Sequence, residues 1–295
     1  MDKVVVMGGA GFVGSHIADV LSEKGFQVVI FDNRESQWLR EDQEMIIGDI
    51  LDADQVRNAV SGSKYVYHFA GIADISEATK RPLDTINLNV IGTTNAIQAA
   101  IDSNVCRFIF ASTMYVYSSY GSFYRATKQA SETLIEVFSE QFDIEYSLLR
   151  YGSLYGPRAQ KWNGLKGHVE QIIKYGEIEY SGTGQERREY IHVKDAARLS
   201  VEILDSQFKN KAITITGQQV LHSEELIDLI FEISGKSKKV NYLGDNIGPD
   251  HYLTTPYRFT PKTSIRLVPD AFHDLGQGIL ELIEEISDES KTEKL

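Results

Sequence analysis

Residues 4–14 read Val-Val-Val-Met-Gly-Gly-Ala-Gly-Phe-Val-Gly, an apolar strand running directly into a glycine turn. An amphipathic helix follows, with Ile17, Val20 and Leu21 on one face. A second apolar run, Val28-Val29-Ile30-Phe31, then closes on Asp32. Strand, glycine turn, helix and later acid form the fingerprint of a dinucleotide-binding βαβ unit. Gly8 and Gly11 let the backbone approach a pyrophosphate. The helix start at Phe12 and Val13 faces that anion with unpaired N–H groups and the positive end of its dipole. Asp32 accepts from a ribose diol and repels a 2′-phosphate, so NAD is expected over NADP. Asn33 follows at the same edge, and Arg34 reads as a solvated loop residue or an adenine-side contact.

Strands and helices alternate beyond this unit. Apolar strands are expected at 3–7, 27–31, 44–47, 65–70, 107–112 and 144–149, and helices at 12–24, 52–60, 82–103 and 124–140. Such alternation predicts an α/β fold, a Rossmann doubly wound parallel sheet covered on both faces. After Arg150 the texture becomes rich in Gly, Tyr and basic residues, and strand–helix–strand patterning returns at 189–217. The expected division is a nucleotide-binding domain of 1–152 plus about 189–217. A smaller, discontinuous α/β substrate domain takes 153–188 plus 218–286, with a polar, frayed tail at 287–295. The helices at 82–103 and 124–140 carry apolar faces that either cover the sheet or pair across a two-fold axis as a homodimer interface.

At 295 residues the chain can bury a substantial core. Its net charge of -12 argues against a phosphate-backbone binder, so no nucleic-acid partner is expected. No apolar stretch is long enough for a membrane span, and no signal-peptide pattern opens the chain, so a cytoplasmic location is the expectation. The single cysteine, Cys106, precludes an intramolecular disulfide and reads as a core thiol. No Cys/His cluster suggests a metal.

The fifth strand ends Ala111-Ser112-Thr113, and Tyr124-Arg125-Ala126-Thr127-Lys128 opens the next helix. Four-residue spacing puts Tyr124 and Lys128 on one helical face. A phenol ionises near pH 10, but a neighbouring ammonium favours the phenolate, so Tyr124 can serve as a general base. Lys128 can also hold a nicotinamide ribose, and Thr113 can hydrogen-bond a substrate oxygen. A second Tyr-x-x-x-Lys, Tyr190 to Lys194, lies on a strand and reads as a chance match.

With these residues in view, the chain resembles the extended short-chain dehydrogenase/reductases, in their nucleotide-sugar epimerase/dehydratase branch. The resemblance rests on Gly8, Gly11 and Gly14, on Gly48-Asp49-Ile50, on His68-Phe69-Ala70-Gly71, and on Asn89-Val90-Ile91-Gly92-Thr93. It extends through Leu149-Arg150-Tyr151, Tyr155-Gly156-Pro157-Arg158, and residues 182–195. It implies that Asp49 and Ile50 read the adenine, and that Phe69, Ala70, Gly71, Asn89, Ser112 and Tyr151 line the cofactor's path. It implies a nucleotide-diphosphate sugar as substrate, with Arg188 on the diphosphate through its planar fork. Ser153 falls where the family touches substrate phosphates. Arg258 reads equally as a second diphosphate contact or a surface charge. Asp195 reads as a possible N-cap and His68 as a packed histidine. Trp162, Asn163, His168 and Tyr180 are candidates for base contacts.

Departures from the pattern narrow the reaction. Met114 and Tyr115 stand where the family's 4,6-dehydratases place Asp-Glu, so dehydration is disfavoured. Three departures count against a 4-epimerase: the loop between Tyr117 and Tyr124 is short, Ala73 replaces a Lys of UDP-galactose 4-epimerases, and Gly152-Ser153 replaces a Phe-Asn. The resemblance therefore points to hydride chemistry at C4 through a 4-keto sugar. A 4-epimerase leads, a net 4-dehydrogenase or ketoreductase is the alternative, and a non-catalytic NAD-binding regulator is a third reading.

Overall fold

In the computed structural model, which describes residues 1–244, 265–268 and 271–292, the large sheet has eight strands, all parallel to their neighbours. The strands in chain order are β1 (Lys3–Met7), β2 (Gln27–Asp32), β3 (Gln43–Ile47), β4 (Tyr65–His68), β5 (Arg107–Thr113), β6 (Glu145–Tyr151), β7 (Ser153–Tyr155), β8 (Ile178–Tyr180), β9 (Arg187–His192), β10 (Lys211–Ile215), β11 (Val220–His222), β12 (Val240–Tyr242) and β13 (Ile265–Leu267). The large sheet runs β13-β10-β6-β5-β4-β1-β2-β3. The chain starts at β1, winds outward to β3, then returns to β4 on the other side. That reversal opens a crevice at the carboxyl ends of β1 and β4, where ligands bind in open α/β sheets.

The helices are α1 (Phe12–Glu23), α2 (Ala53–Val60), α3 (Ile75–Lys80), α4 (Pro82–Ile86), α5 (Gly92–Asp102), α6 (Ser122–Phe142), α7 (Gly164–Tyr175), α8 (Val193–Glu202), α9 (Ser223–Ser234) and α10 (Leu275–Thr292). Side-chain alternation along β1 sends Val4 and Val6 into one core layer with Ile17, Leu21 and Leu199. Val5 and Met7 enter the other layer, with Val29, Ile97 and Ile135. A third cluster, built on Leu165, Val169, Leu226, Ile230 and Leu282, joins α7, α9 and α10. Two small sheets, β11-β9-β7 and β12-β8, complete this second lobe.

Several expectations change. The single helix expected at 82–103 is α4, a π-helical turn at Asn87–Ile91, and α5 in succession. Helix α3 went unread because six residues are too few to show a period. Strand β9 pairs with β7 and β11 in the small sheet, while β13 pairs with β10 at the edge of the large one. The tail expected to fray continues α10 to Thr292. Cys106 is exposed beside the start of β5, not in the core. Asp195 does not cap α8; His192 does, its Nδ1 accepting from Lys194 N at 3.3 Å. Asp195 instead accepts from His273 N at 2.7 Å and ion-pairs with Arg198 at 2.8 Å. Arg258 lies outside the described residues.

Candidate active site

A cleft of about 1100 Å³ runs from the glycine turn across the ends of β4 and β5 into the second lobe. Single small-molecule sites usually measure about 300–1,000 Å³, so this one has room for two ligands end to end. Gly8, with φ +78°, sits at its floor, where an added Cβ would come within 2.6 Å of Ala70 N. Only glycine allows β1 and β4 to meet this closely.

Helix α1 begins at the turn. Asp52 and Asp74 cap α2 and α3 with their side chains, but α1 has no side-chain cap and no acid in its first turn. Its first amides therefore present bare donors to the cleft, as an anion site requires. Asp32, at the end of β2, accepts from Ala10 N at 3.0 Å, tying the turn to the acid. Burial raises the Asp32 pKa, and the Ala10 N–H opposes that rise. Asp49 accepts from Leu51 N at 2.9 Å at the far wall. These residues supply the donors and acceptors that a dinucleotide's diphosphate and ribose need.

At the other end of the floor, β5 delivers Ser112 and Thr113, and α6 delivers Tyr124 and Lys128. Lys128 is buried, donates from Nζ to Ala111 O at 2.8 Å, and lies 6.0 Å from the Tyr124 ring centroid. Burial pushes its pKa down to about 8, and Glu132 one turn later pulls it up. Thr113 Oγ1 accepts from Tyr115 N at 3.2 Å, which leaves its O–H to donate into the cleft. The Tyr115 ring meets Tyr124 edge-on at 6.3 Å. Met114 is fully buried against Val116 and Tyr117. In the second lobe, β9 carries Arg188 and β7 carries Ser153 to the wall of the same cleft.

The model of the NAD dependent epimerase/dehydratase family matches residues 4–216. The chain belongs to this family. It superposes on a Thermotoga maritima UDP-glucose 4-epimerase solved with UDP-glucose at a TM-score of 0.85, with 23% identity, covering 98% of this chain and 99% of that one. Its curated relatives include a UDP-N-acetyl-alpha-D-glucosaminuronate decarboxylase of Bacillus cytotoxicus, 26% identical over 90% of both chains. Another is a putative UDP-glucose 4-epimerase of Methanocaldococcus jannaschii, 27% identical over 77% of this chain and 81% of that one. The cofactor of this epimerase/dehydratase is NAD.

The structure gathers nearly all the sequence candidates on the wall of this cleft. Gly8, Gly11, Phe12, Val13, Asp32, Asn33, Asp49, Ile50, Phe69, Ala70, Gly71, Ser112, Thr113, Tyr124, Lys128, Tyr151, Ser153 and Arg188 all line it. Asn89 does not. It lies one layer behind, with Oδ1 accepting from Ile72 N at 2.7 Å and Nδ2 donating to Ile72 O and Thr127 Oγ1. Its polar atoms are committed to Ile72, in the backbone after β4, and to Thr127. Tyr151 lines the wall with its ring, because its hydroxyl is 2.6 Å from Ser200 Oγ. Trp162, Asn163, His168 and Tyr180 reach the cleft as well. Asn163, however, caps α7 and donates to Leu154 O, and Tyr180 donates to Glu186 at 3.1 Å. His68 is fully buried against Thr93, its pKa held near 3 by burial and by Lys128, so it is no base at neutral pH.

Sequence reasoning missed the polar group beneath the site. Glu132 and Arg150 form a buried ion pair, joined by Ser112 and Tyr117. The only available signal was that Glu132 stands four residues beyond Lys128 on one helical face. Among the described residues, no cluster of His, Cys, Asp or Glu is arranged for a metal, and no helix is long and apolar enough to cross a membrane.

Proposed function

We propose that this chain is an NAD-dependent 4-epimerase of a nucleotide-diphosphate sugar, working through a 4-keto sugar. The observation that carries the reading is the placement of Thr113, Tyr124 and Lys128 in one cleft with the glycine turn and Arg188. The residues after Thr113 are not the Asp-Glu pair that the resemblance places in 4,6-dehydratases: Met114 is buried and has no ionisable group, and Tyr115 carries no carboxylate. NAD, when bound, supplies the two-electron acceptor and donor for C4. Lys128, as an ammonium, favours the Tyr124 phenolate, which takes the proton of the sugar 4-hydroxyl. Thr113 donates to the same oxygen and holds it within reach of Tyr124. Arg188 and Ser153 hold the diphosphate, leaving the sugar end to turn over between oxidation and return. UDP is the first nucleotide to test, because both curated relatives named above carry UDP-sugar activities in their names.

The exposed apolar side chains Leu83, Ile86 and Ile91, with Val137 and Phe142 on α6, support pairing with a second copy of this chain.

The test is nuclear magnetic resonance of the products of UDP-glucose, UDP-N-acetylglucosamine and UDP-glucuronic acid. The expected product is the C4-inverted sugar of one of them, with Tyr124→Phe slowing its formation by roughly 10²–10⁴-fold. A 4-keto-6-deoxy product, or inversion undiminished in Tyr124→Phe, overturns the reading.

A further inference from the structure

We infer that the buried Glu132–Arg150 pair is the positioning clamp of the Thr113–Tyr124–Lys128 constellation. The inference rests on reading those three side chains as the reacting groups. Glu132 and Arg150 touch neither the cleft nor each other's solvent, being 0% and 1% exposed. Arg150 Nε and Nη2 donate to the two carboxylate oxygens of Glu132 at 2.9 and 2.8 Å, a bidentate fork.

Each arm of the pair ends on an element that carries a reacting residue. Ser112 Oγ donates to Glu132 Oε1 at 2.5 Å, and Ser112 immediately precedes Thr113. Arg150 Nη1 donates to Tyr117 Oη at 2.5 Å, with the guanidinium 4.8 Å from the Tyr117 ring centroid. Tyr117 closes the 3₁₀ turn that begins at Met114 and carries Tyr115 against Tyr124. Glu132 stands one helical turn from Lys128 and two from Tyr124 on α6. Arg150 sits opposite Ser112 in the β5–β6 register, with Tyr151 of the cleft wall next in line. The four residues thus lock β5, the 3₁₀ turn, α6 and β6 to one another directly beneath the reacting groups.

Stability alone does not explain such a pair. Burying two charges costs several kcal/mol per ion, and apolar residues of similar volume often serve a core as well or better. What an apolar pair lacks is fixed geometry and charge. Lys128 faces Tyr124 and Glu132 on its own helix and His68 from β4. Among these, Glu132 supplies the negative charge, and it raises the Lys128 pKa against the larger effect of burial. Glu132 is therefore a positioning residue that acts through Ser112 and Lys128.

The test is the ionisation midpoint of Tyr124, read as the phenolate absorbance difference between a protein and its Tyr124→Phe counterpart, together with kcat, KM and NAD affinity. Glu132→Gln is expected to move the midpoint by about one pH unit and to lower kcat at least tenfold. NAD affinity and KM stay within about twofold, since Asp32 and the glycine turn are untouched. If Glu132→Gln fails to fold around its unpaired guanidinium, the double variant Glu132→Met/Arg150→Met decides, because it removes both charges. It is expected to fold and bind NAD with a displaced midpoint and lowered kcat. A folded variant with the wild-type midpoint and wild-type kcat overturns the clamp. If the wild type turns over no nucleotide sugar yet the midpoint moves as expected, the proposed function fails and the clamp stands.

Discussion

The ammonium of Lys128 is held in a place that stability would not choose. Burial lowers its pKa from 10.5 to about 8, so the folded state binds this proton more weakly than the unfolded chain does. Stability is therefore reduced below about pH 8 and recovers as pH rises toward 10.5. Replacing Lys128 by Met is expected to raise the unfolding free energy at pH 7 by roughly 2–3 kcal/mol while abolishing turnover. Denaturant titration at pH 7 and pH 10 checks the sign, since the gain must shrink at the higher pH. Asp32 supports a second expectation. Its Oδ2 organises the turn through Ala10, and its charge faces the ribose side of the cleft. Asp32→Ser is expected to weaken NAD binding by roughly 1.5–3 kcal/mol and to narrow the preference over NADP, both measurable by equilibrium titration. At this scale the sequence was most informative, because Gly8, Asp32, Thr113, Tyr124 and Lys128 each answer to local geometry. It was least informative for Asn89 and Asn163. An amide can donate and accept toward a ligand or toward its own backbone, and only the fold shows that both side chains are spent on the backbone.

Among the elements, α6 does three things. Its first turns carry Tyr124 and Lys128, its buried face carries Glu132, and its outer face carries Val137 and Phe142. The outer face should assemble with a second copy through α4, α5 and α6. Leu83→Asp/Val137→Asp is expected to shift the protein from dimer to monomer in sedimentation velocity, with little loss of stability in the monomer because both side chains are already exposed. The π-helical turn at Asn87–Ile91 frees the Asn89 carbonyl, which accepts from Ser131 Oγ at 2.8 Å and from Thr93 Oγ1 at 2.6 Å. Asn89→Ala keeps that carbonyl but removes the side chain that bridges Ile72, after β4, and Thr127 of α6, and is expected to cost about 1–3 kcal/mol of stability along with NAD affinity. The strands and long helices were legible because their periods repeat. The π turn was not, since its five residues are too few to show a period of their own. Strand β13, with three residues, is assigned to the large sheet only by its pairing with β10.

In the whole molecule, four histidines set the acid limit. Burial holds His16, His168 and His192 at about 4 and His68 at about 3, all below the ordinary 6.5. Each is neutral when folded and takes a proton when unfolded, so stability falls as pH drops below 6.5 and continues to fall toward pH 4. Each contributes up to about 1.4 kcal/mol per pH unit over that window, a slope that thermal unfolding between pH 7 and pH 4.5 measures. The passage of the chain from the large sheet into the small ones was legible in the change of texture after Arg150. The crossing strands β9 and β13 were not, because pairing between distant segments leaves no local mark. The central claim, that the cleft oxidises C4 and returns it inverted, is tested most directly with UDP-sugars deuterated at C4. Conversion should give the C4-inverted sugar with deuterium retained at C4 and no accumulation of reduced cofactor. Deuterium at C6, or a released 4-keto sugar with reduced cofactor in equal amount, would contradict it.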